Sequence, residues 1–412
     1  NKFTKRFFNI VRDKLKILIT IECYPPVING SGITTMRIAT GLAKRGHQVV
    51  IACPGKSIKP KINIESSVTV HRVRSLPVPK ISHQGFSFSA FPRNYIKHIF
   101  KEFKPDIVHI ADHFFISSAA VSLAKKNKIK VVGTNYFTPY NAIDNLIIKK
   151  NSLLYRILEK IFWHYFLNIF NNIDVVTTPT ATAKKIIQDV GLKKQVNVIS
   201  CGLDIEKFKK NKPGNEIFYK YKINTNKIIF LSASRLDREK RVDVLLEALS
   251  MLKDKIDFQF IITGRGIDKE NLEKVTLKKN LTDRVVFTDF VPDSELKNLY
   301  SLSDIFLTAS EVELQGLSIM EAMASGLPVV AANSMAIPEL VKDGINGYLF
   351  EPGNAIDASE KILQLASDKK LREYMSLNSL RLIKEHDLEV TLVKFEEIYY
   401  EHISEISKVN KT

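Results

Sequence analysis

The 412-residue chain has few cysteines and no long uninterrupted apolar run. Its three cysteines (Cys23, Cys53 and Cys201) are far apart and lack metal-ligand spacing, which excludes a disulfide scaffold and argues against a zinc site. No apolar run approaches the roughly 18–20 residues of a membrane-spanning helix. Apolar residues make up 45% and charged residues 25%, which excludes a disordered chain. Because a domain usually has about 150 residues, we expect two globular domains.

Positive charge is concentrated in the first half of the chain. Residues 1–200 contain 31 Lys and Arg against 10 Asp and Glu, a net charge of +21, whereas residues 201–412 contain 30 against 34, a net charge of −4. This asymmetry favours a partner with negative charge, although a generally lysine-rich composition is the alternative. Since no nucleic-acid recognition module is visible, we expect no nucleic-acid partner and favour an anionic membrane surface.

Both halves begin with the same pattern, in which an apolar run ends in a loop, and a helix and a second apolar run follow. These runs are residues 16–20 and 48–52 in the first half and residues 228–233 and 258–263 in the second. Strands that alternate with helices of about 10–15 residues indicate a parallel sheet. We therefore predict an α/β fold of two doubly wound Rossmann-like domains that face a cleft.

The predicted boundary lies in a polar stretch near residues 201–213. We assign residues 1–202 to an N-terminal domain, 203–387 to a C-terminal domain, and 388–412 to a C-terminal helix that could cross back to the first domain. The other predicted strands are residues 107–110, 131–134, 175–178, 196–200, 285–287, 305–308 and 329–331.

Two loops that follow predicted strands could hold phosphate. Gly30 and Gly32 precede a helix, whose N-terminal N–H groups can bind an anion. Thr35 stands where the dinucleotide fingerprint needs a third glycine, and a tight turn without a ligand is the alternative. In the second half, Arg235 and Lys240 flank the loop after the first strand, where two cations beside a helix N-terminus suit a diphosphate. Solvated surface cations are the alternative.

Glu313 and Glu321 stand eight residues apart across a glycine turn that opens a helix. Glu321 lies within an apolar segment, so its carboxylate needs hydrogen-bond donors, and the diol of a ribose or hexose would supply a pair of them. Hydrogen bonds from neighbouring backbone N–H groups are the alternative.

These motifs together resemble the family 4 retaining glycosyltransferases of the GT-B fold. The Glu-x7-Glu spacing, the run EAMASGLPVVA, the turn SRLDREK and the segment DGINGYLFEPG carry the resemblance. It implies that the C-terminal domain binds a nucleotide-sugar, with a UDP-sugar favoured, and that the N-terminal domain binds the acceptor. The diphosphate would lie at Arg235 and Lys240, the ribose at Glu321 and the transferred sugar at Glu313. The implied donor-binding residues are Gly30, Gly32, Arg235, Lys240, Gly264, Glu313, Gly316, Leu317, Ser318 and Glu321. The implied catalytic residues are Glu313, His113, Arg235 and Lys240.

The acceptor side resembles one branch of this family. In the segment HIADHFF, His113 is similar to the family's sugar- and acceptor-side histidine, whereas for His109 we favour a hydrogen-bonded structural histidine. The segments GTNYFTPY and ELQ look most like the branch that glycosylates diacylglycerol. Tyr136, a second acceptor-side candidate, stands where this branch usually has histidine. Arg241 replaces a glycine, and Arg265 replaces an acidic residue.

A basic and aromatic segment at residues 145–172 is typical of an interfacial membrane helix. Anionic lipid attracts its cations, by about 1 kcal/mol each near the surface. A core helix is the alternative. Residues 1–15 repeat the same mixture more weakly. The expected membrane-docking residues are Lys149, Lys150, Arg156, Lys160 and Trp163.

The chain lacks an Asp-x-Asp sequence, so the metal-bridged diphosphate of the other main transferase fold has no ligands here. We expect no metal or cofactor, because Arg235, Lys240 and helix N-terminal N–H groups would stabilise the departing diphosphate. The expected reaction moves a hexose, with glucose favoured, from a UDP-sugar to a membrane lipid such as diacylglycerol, with an α-linked product. A glycan acceptor, such as a surface-polysaccharide intermediate, and a nucleotide-sugar 2-epimerase are the alternatives. The expected location is cytoplasmic and peripheral, on the inner face of the cell membrane.

Overall fold

The computed structural model describes residues 13–27, 29–57, 59–77, 87–140, 152–211 and 215–409. Within them the chain forms two α/β domains, each built on a mostly parallel sheet with helices on both faces. The predicted fold class is therefore confirmed.

The first domain contains a sheet with strand order β10-β9-β8-β7-β1-β2-β4-β3, in which β3 alone is antiparallel to its neighbour. A separate antiparallel pair, β5 and β6, lies outside this sheet. The strands are β1 (Lys16–Thr20), β2 (Gln48–Pro54), β3 (Lys61–Glu65), β4 (Val68–Val73), β5 (Ser75–Pro77), β6 (Ser87–Ser89), β7 (Ile107–Ile110), β8 (Lys130–Thr134), β9 (Val175–Thr178) and β10 (Val196–Val198). The helices are α1 (Gly30–Lys44), α2 (Arg93–Phe103), α3 (Phe115–Lys126), α4 (Leu153–Phe170) and α5 (Ala181–Asp189).

The second domain contains a parallel sheet with strand order β13-β12-β11-β14-β15-β16. Its strands are β11 (Ile228–Ala233), β12 (Phe258–Thr263), β13 (Val285–Phe287), β14 (Ile305–Thr308), β15 (Val329–Ala332) and β16 (Gly347–Phe350). Its helices are α6 (Asn215–Lys220), α7 (Val242–Ser250), α8 (Lys269–Lys278), α9 (Asp293–Leu302), α10 (Leu317–Ala324), α11 (Ile337–Leu340), α12 (Ala355–Ser367) and α13 (Lys369–Leu382), and α14 (Leu388–Val409) ends the described chain. Short 3-10 helices occur at Glu206–Phe208, Arg238–Lys240 and Ile383–His386.

The strands predicted as continuous apolar runs are buried on both faces. In β11, Phe230 packs into the core on one face of the sheet, and Ile229 and Leu231 pack into the core on the other. Helices cover both faces of a parallel sheet, so its inner strands exclude water on both sides. The apolar runs of the sequence do not predict β3, β4, β5, β6 or β16. In β3 the reason is exposure, because this edge strand has no buried residue.

Each main sheet has a topological switch point, where the connections that follow two neighbouring parallel strands lead to opposite sides of the sheet. It lies between β1 and β7 in the first sheet and between β11 and β14 in the second. Loops at the carboxyl ends of the strands diverge there and leave a crevice for a ligand. The loops at the first switch point carry Gly30 and His113, and those at the second carry Lys240 and Glu313.

The chain passes between the domains twice, at adjacent positions. The N–H of Leu203 donates to the carbonyl of His386 at 2.9 Å, and the N–H of Leu388 donates to the carbonyl of Leu203 at 2.9 Å. Helix α14 then runs back over the first domain and buries Phe395 and Tyr399 in the core beneath α1 and β1. The C-terminal helix therefore contributes to the core of the N-terminal domain.

Candidate active site

The two switch points face each other across the domain boundary. Gly30 opens α1 in the first domain, and a β-carbon added to it would lie 3.5 Å from Cδ1 of Leu317, which opens α10 in the second. Gly316 precedes α10 with φ +83°, and no side chain caps this helix. Because the first N–H groups of a helix lack intrahelical acceptors and its dipole attracts negative charge, this N-terminus can hold a phosphate. Backbone groups at Gly316, Leu317 and Ser318 are therefore suitably placed for the predicted contact.

Gly32 meets a packing requirement. The side-chain oxygen of Asn29 accepts the N–H of Gly32 at 2.7 Å and so caps α1. A β-carbon at Gly32 would lie 2.4 Å from the carbonyl oxygen of Cys23. Only glycine fits at position 32, and the N–H of Gly32 is already bonded to the side chain of Asn29. Of the two predicted loop glycines, Gly30 is therefore the one that faces the other domain.

Lys240 and Glu313 form an ion pair between the loops that follow β11 and β14. Nζ of Lys240 donates to Oε1 of Glu313 at 2.5 Å, and the hydroxyl of Ser310 donates to the same oxygen at 2.9 Å. Burial raises the pKa of Glu313, but attraction to Lys240 and hydrogen bonds from Lys240 and Ser310 outweigh it, so the pKa lies below its usual value. The structure thus brings together two of the predicted catalytic residues.

Arg235 directs its guanidinium at carboxylates of its own loop. Nη1 bonds to Asp237, and Nη2 donates to Glu239 at 2.8 Å. Burial raises the pKa of Glu239, and Arg235 and Lys240 oppose this effect. The guanidinium of Arg235 is therefore already paired with Asp237 and Glu239. A diphosphate would have to compete with these two carboxylates to bind Arg235. In the part of the chain that the structure describes, no group of three or more His, Cys, Asp or Glu side chains could hold a metal ion.

The loop after β12 supports the Arg235 loop. Gly264 has φ +133°, and a β-carbon there would lie 1.8 Å from the carbonyl oxygen of Ser234. The N–H of Leu236 donates to the carbonyl of Arg265 at 2.9 Å, while the side chain of Arg265 is exposed. Glycine is required at 264 because the two loops touch, so Gly264 fixes the position of the loop that carries Arg235.

Glu321 is largely buried at the domain boundary, and its carboxylate bonds to two side chains. Its Oε1 accepts a hydrogen bond from Nη2 of Arg37 at 2.8 Å, and its Oε2 accepts one from the hydroxyl of Tyr300 at 3.2 Å. Burial raises the pKa of Glu321, and attraction to Arg37 opposes this. The motifs of the sequence do not point to Arg37. The one signal that could have found it is that Arg37 is the single charged residue of residues 30–43.

The two histidines near β7 are both buried. His109 bonds through Nδ1 to the hydroxyl of Tyr399 at 2.6 Å and through Nε2 to that of Thr134 at 2.7 Å, which confirms its structural interpretation. His113 lies among aromatic rings, with that of Phe162 4.7 Å away, and neither of its nitrogens has a hydrogen-bond partner among the described residues. Burial lowers the pKa of His113 to about 3, so this ring is neutral at pH 7. Its acceptor role stays a prediction.

Tyr136 lies under α14. It packs against the core that Tyr399 completes, and it lines a small internal cavity with Thr35 and His109. Burial raises its pKa. The structure gives Tyr136 contacts inside the first domain, and its acceptor contact stays a prediction.

Arg241 has an unusual backbone conformation beside the Lys240–Glu313 pair. Its φ is +48°, in the left-handed region that favours glycine. Its guanidinium pairs with Glu311 at 2.6 Å and with Asp243 at 3.2 Å. Arg241 therefore ties the loop after β14 to the start of α7.

Helix α4 presents an apolar face to solvent. Leu153, Leu154, Ile157 and Ile161 recur at helical spacing, with exposed fractions between 46% for Ile157 and 76% for Leu153. In other proteins, a contiguous exposed apolar face of this kind marks an interaction surface. No helix in the described ranges has the length and apolar character needed to cross a membrane.

The structure contradicts the expected membrane-docking role of one residue, Trp163. Arg156 and Lys160 are exposed beside the apolar face of α4, and Lys149 and Lys150 lie outside the described residues. The expectation for Trp163 is wrong, because its side chain is buried in the core of the first domain. The reason is periodicity: a residue two positions beyond the exposed Ile161 points about 200° away around the helix.

Two family models match the chain. The model described as "Glycosyltransferase Family 4" matches residues 28–207, and the model described as "Glycosyl transferases group 1" matches residues 214–381. The two matched segments fall on the two domains.

Relatives and solved structures agree with these matches. The chain is 27% identical to "Alpha-monoglucosyldiacylglycerol synthase" of Acholeplasma laidlawii, over 96% of this chain and 99% of the relative. It is 26% identical to a protein of the same name from Streptococcus pneumoniae, over 82% and 75%. Among solved structures, sucrose-phosphate synthase of Thermosynechococcus elongatus has a TM-score of 0.78 at 17% identity, over 94% of this chain and 99% of that one. Anabaena HepE in complex with UDP and glucose has a TM-score of 0.72 at 17% identity, over 93% and 99%. At these identities the structural likeness shows the fold alone.

Proposed function

Because the chain belongs to the family 4 glycosyltransferases of the GT-B fold and resembles their diacylglycerol branch, we propose that it transfers a hexose from a UDP-sugar to a membrane lipid such as diacylglycerol. Glucose is the favoured sugar, and the product is α-linked. The observation that carries the proposal is the Lys240–Glu313 pair, at 2.5 Å, beside the N-terminus of α10. A nucleotide-sugar needs a cation and helix N–H groups for its phosphates and a carboxylate for its hydroxyls.

The proposed reaction keeps the configuration of the sugar. The bond between the anomeric carbon and the diphosphate oxygen breaks, and the acceptor hydroxyl bonds to that carbon on the same face, while its proton passes to the departing phosphate oxygen. Negative charge grows on the diphosphate as it leaves. Lys240 and the N–H groups at the start of α10 would stabilise this charge, so the proposal needs no metal ion.

The acceptor assignment rests on two further observations. The exposed apolar face of α4 and the neighbouring cations Arg156 and Lys160 suit the surface of an anionic membrane. The named relatives from Acholeplasma laidlawii and Streptococcus pneumoniae are synthases of a glucosylated diacylglycerol. We therefore propose peripheral binding to the inner face of the cell membrane, where diacylglycerol would be reached from the cleft.

The test measures UDP release in EDTA from UDP-glucose, UDP-galactose and UDP-N-acetylglucosamine, with and without anionic vesicles that contain diacylglycerol. We expect release that requires one donor and the vesicles. Glu313→Ala should reduce it by roughly 100-fold or more, because Lys240 loses its partner and the sugar loses an acceptor group. Glu389→Gln, an exposed change on α14, is the matched control and should keep full activity.

Other outcomes point to the alternatives. Release that needs a soluble glycan and ignores vesicles would contradict the lipid acceptor and favour a glycan acceptor. Conversion of UDP-N-acetylglucosamine to its 2-epimer without transfer would favour the epimerase. Activity that disappears in EDTA and returns with a divalent cation would contradict the metal-free mechanism.

A further inference from the structure

Arg37 reaches from α1 of the first domain to the second domain. Its Nη2 donates to Oε1 of Glu321 on α10 at 2.8 Å, and both side chains are 12% exposed. The hydroxyl of Tyr300 lies 3.2 Å from the other carboxylate oxygen. Arg37 and Glu321 belong to the two helices whose N-termini meet at Gly30 and Leu317. The pair therefore lies along the same cleft as the proposed donor site.

Arg37 and Glu321 have hydrogen-bonding capacity that their contacts with each other and with Tyr300 leave unused. A carboxylate has about four lone-pair sites, and Arg37 and Tyr300 bond to one site on each oxygen of Glu321. Nη1 of Arg37 is buried and has no hydrogen-bond partner among the residues that the structure describes. An unpaired buried donor destabilises the folded state unless a ligand satisfies it.

A vicinal diol has the chemistry that this arrangement lacks. Each hydroxyl can donate to a carboxylate oxygen and, through its own oxygen, accept from a guanidinium N–H. Glu321 offers the acceptors and Nη1 of Arg37 offers the donor. The ribose of a nucleotide carries such a diol, whereas a phosphate would be repelled by the carboxylate.

We propose that Arg37 is a donor-binding residue, which holds the ribose hydroxyls together with Glu321 and donates to a ribose oxygen through Nη1. This inference rests on the proposed function and adds the first domain to the ribose site. Because Arg37 and Glu321 lie on opposite sides of the domain boundary, bound nucleotide stabilises the contact between the domains.

The test compares nucleotides that have or lack a ribose hydroxyl. Calorimetry of the full chain measures affinities for UDP, 2′-deoxy-UDP and 3′-deoxy-UDP, in the wild type and in Arg37→Met. A hydrogen bond to a charged group contributes about tenfold in affinity. We expect the wild type to prefer UDP to the weaker deoxy analogue by about tenfold. Arg37→Met should bind UDP about tenfold more weakly and lose most of that preference.

Two further variants separate ribose binding from a purely structural role. Arg45→Met is the matched control, because Arg45 caps the C-terminus of the same helix and pairs with the buried Glu396 away from α10. It should keep the preference for UDP. Arg37→Lys keeps the charge but has a single nitrogen, so it should lose the preference even if Arg37→Met fails to fold. Equal weakening of UDP and both deoxy analogues in these Arg37 variants would overturn the proposal, since only the contact between domains would then have been lost.

The same experiment distinguishes the inference from the proposed function. GDP and ADP, with their deoxy analogues, are measured alongside UDP. The protein could bind GDP and not UDP, and Arg37→Met could then abolish the preference for GDP over deoxy-GDP. This result would support the role of Arg37 and contradict the uridine donor. If the wild type binds no nucleoside diphosphate, both proposals fall.

Discussion

Replacing Glu396 with glutamine is expected to loosen α14 from the first domain. Oε1 of Glu396 accepts from Nε of Arg45 at 2.9 Å and lies 2.9 Å from Nε2 of His47, and Oε2 accepts from Nη2 of Arg45 at 2.9 Å. The side chain is 11% exposed. Burial raises the pKa of Glu396, but the hydrogen bonds from His47 and Arg45 outweigh it and lower the pKa to about 2.

The size of the effect follows from this pKa. Folding lowers it from 4.5 to about 2, and one pKa unit corresponds to about 1.4 kcal/mol. The ionised Glu396 therefore contributes about 3 kcal/mol to the free energy of unfolding at pH 7. Because folding lowers the pKa, this contribution is complete above pH 4.5 and is lost as the pH falls from 4.5 towards 2. Glutamine keeps some hydrogen bonding, so we expect a loss of about 2–3 kcal/mol at pH 7.

The fluorescence of a single buried tryptophan can be used to measure the free energy of unfolding. Trp163 is the single tryptophan, and it is buried in the core of the first domain. Its fluorescence during urea denaturation follows the unfolding of the domain to which α14 is anchored. Glu389→Gln is the matched control, because Glu389 also bonds to Arg45 but is 66% exposed. A pair of this kind is worth less than about 1 kcal/mol.

Two results would refute the reasoning. One is an equal urea midpoint for Glu396→Gln and Glu389→Gln at pH 7. The other is a difference between the wild type and Glu396→Gln that stays constant from pH 4.5 to pH 3, because protonation of Glu396 in the unfolded chain should reduce this difference over that range.

Two further predictions concern the exposed apolar face of α4 and the ion pairs of Arg241. Ile157→Glu with Ile161→Glu should lower binding to anionic vesicles by at least tenfold, because two partly exposed apolar side chains no longer enter the lipid. Ile356→Glu, an equally exposed change in the second domain, should leave sedimentation with vesicles unchanged, and equal binding by all three proteins would contradict the docking surface. Arg241→Gly should change stability by less than about 1 kcal/mol, since relief of the left-handed backbone offsets the lost ion pairs. It should raise the KM for the donor several-fold, because Glu311 is no longer tethered beside Glu313; an unchanged KM would contradict this.

Much of the fold could be predicted because its pattern is local. The inner strands, such as residues 228–233 and 258–263, are apolar throughout, since both faces of a parallel sheet are covered by helices. The positions of Lys240 and Glu313 after β11 and β14 could be predicted because the strands that precede these loops are apolar runs, while their roles with a ligand stay predictions. The exposed edge strand Lys61–Glu65 was missed, because it lacks this apolar signal.

The partners of the site residues depend on tertiary structure. Trp163 looked like a membrane anchor in a basic and aromatic segment, but the helix turns it into the core. Arg37 and Glu321 are 284 residues apart and meet because the two domains place α1 against α10. Residue order and periodicity specify which face of an element is buried, since these are properties of one segment. They carry no information on which side chain arrives from the opposite domain, because that depends on how two separately folded surfaces pack.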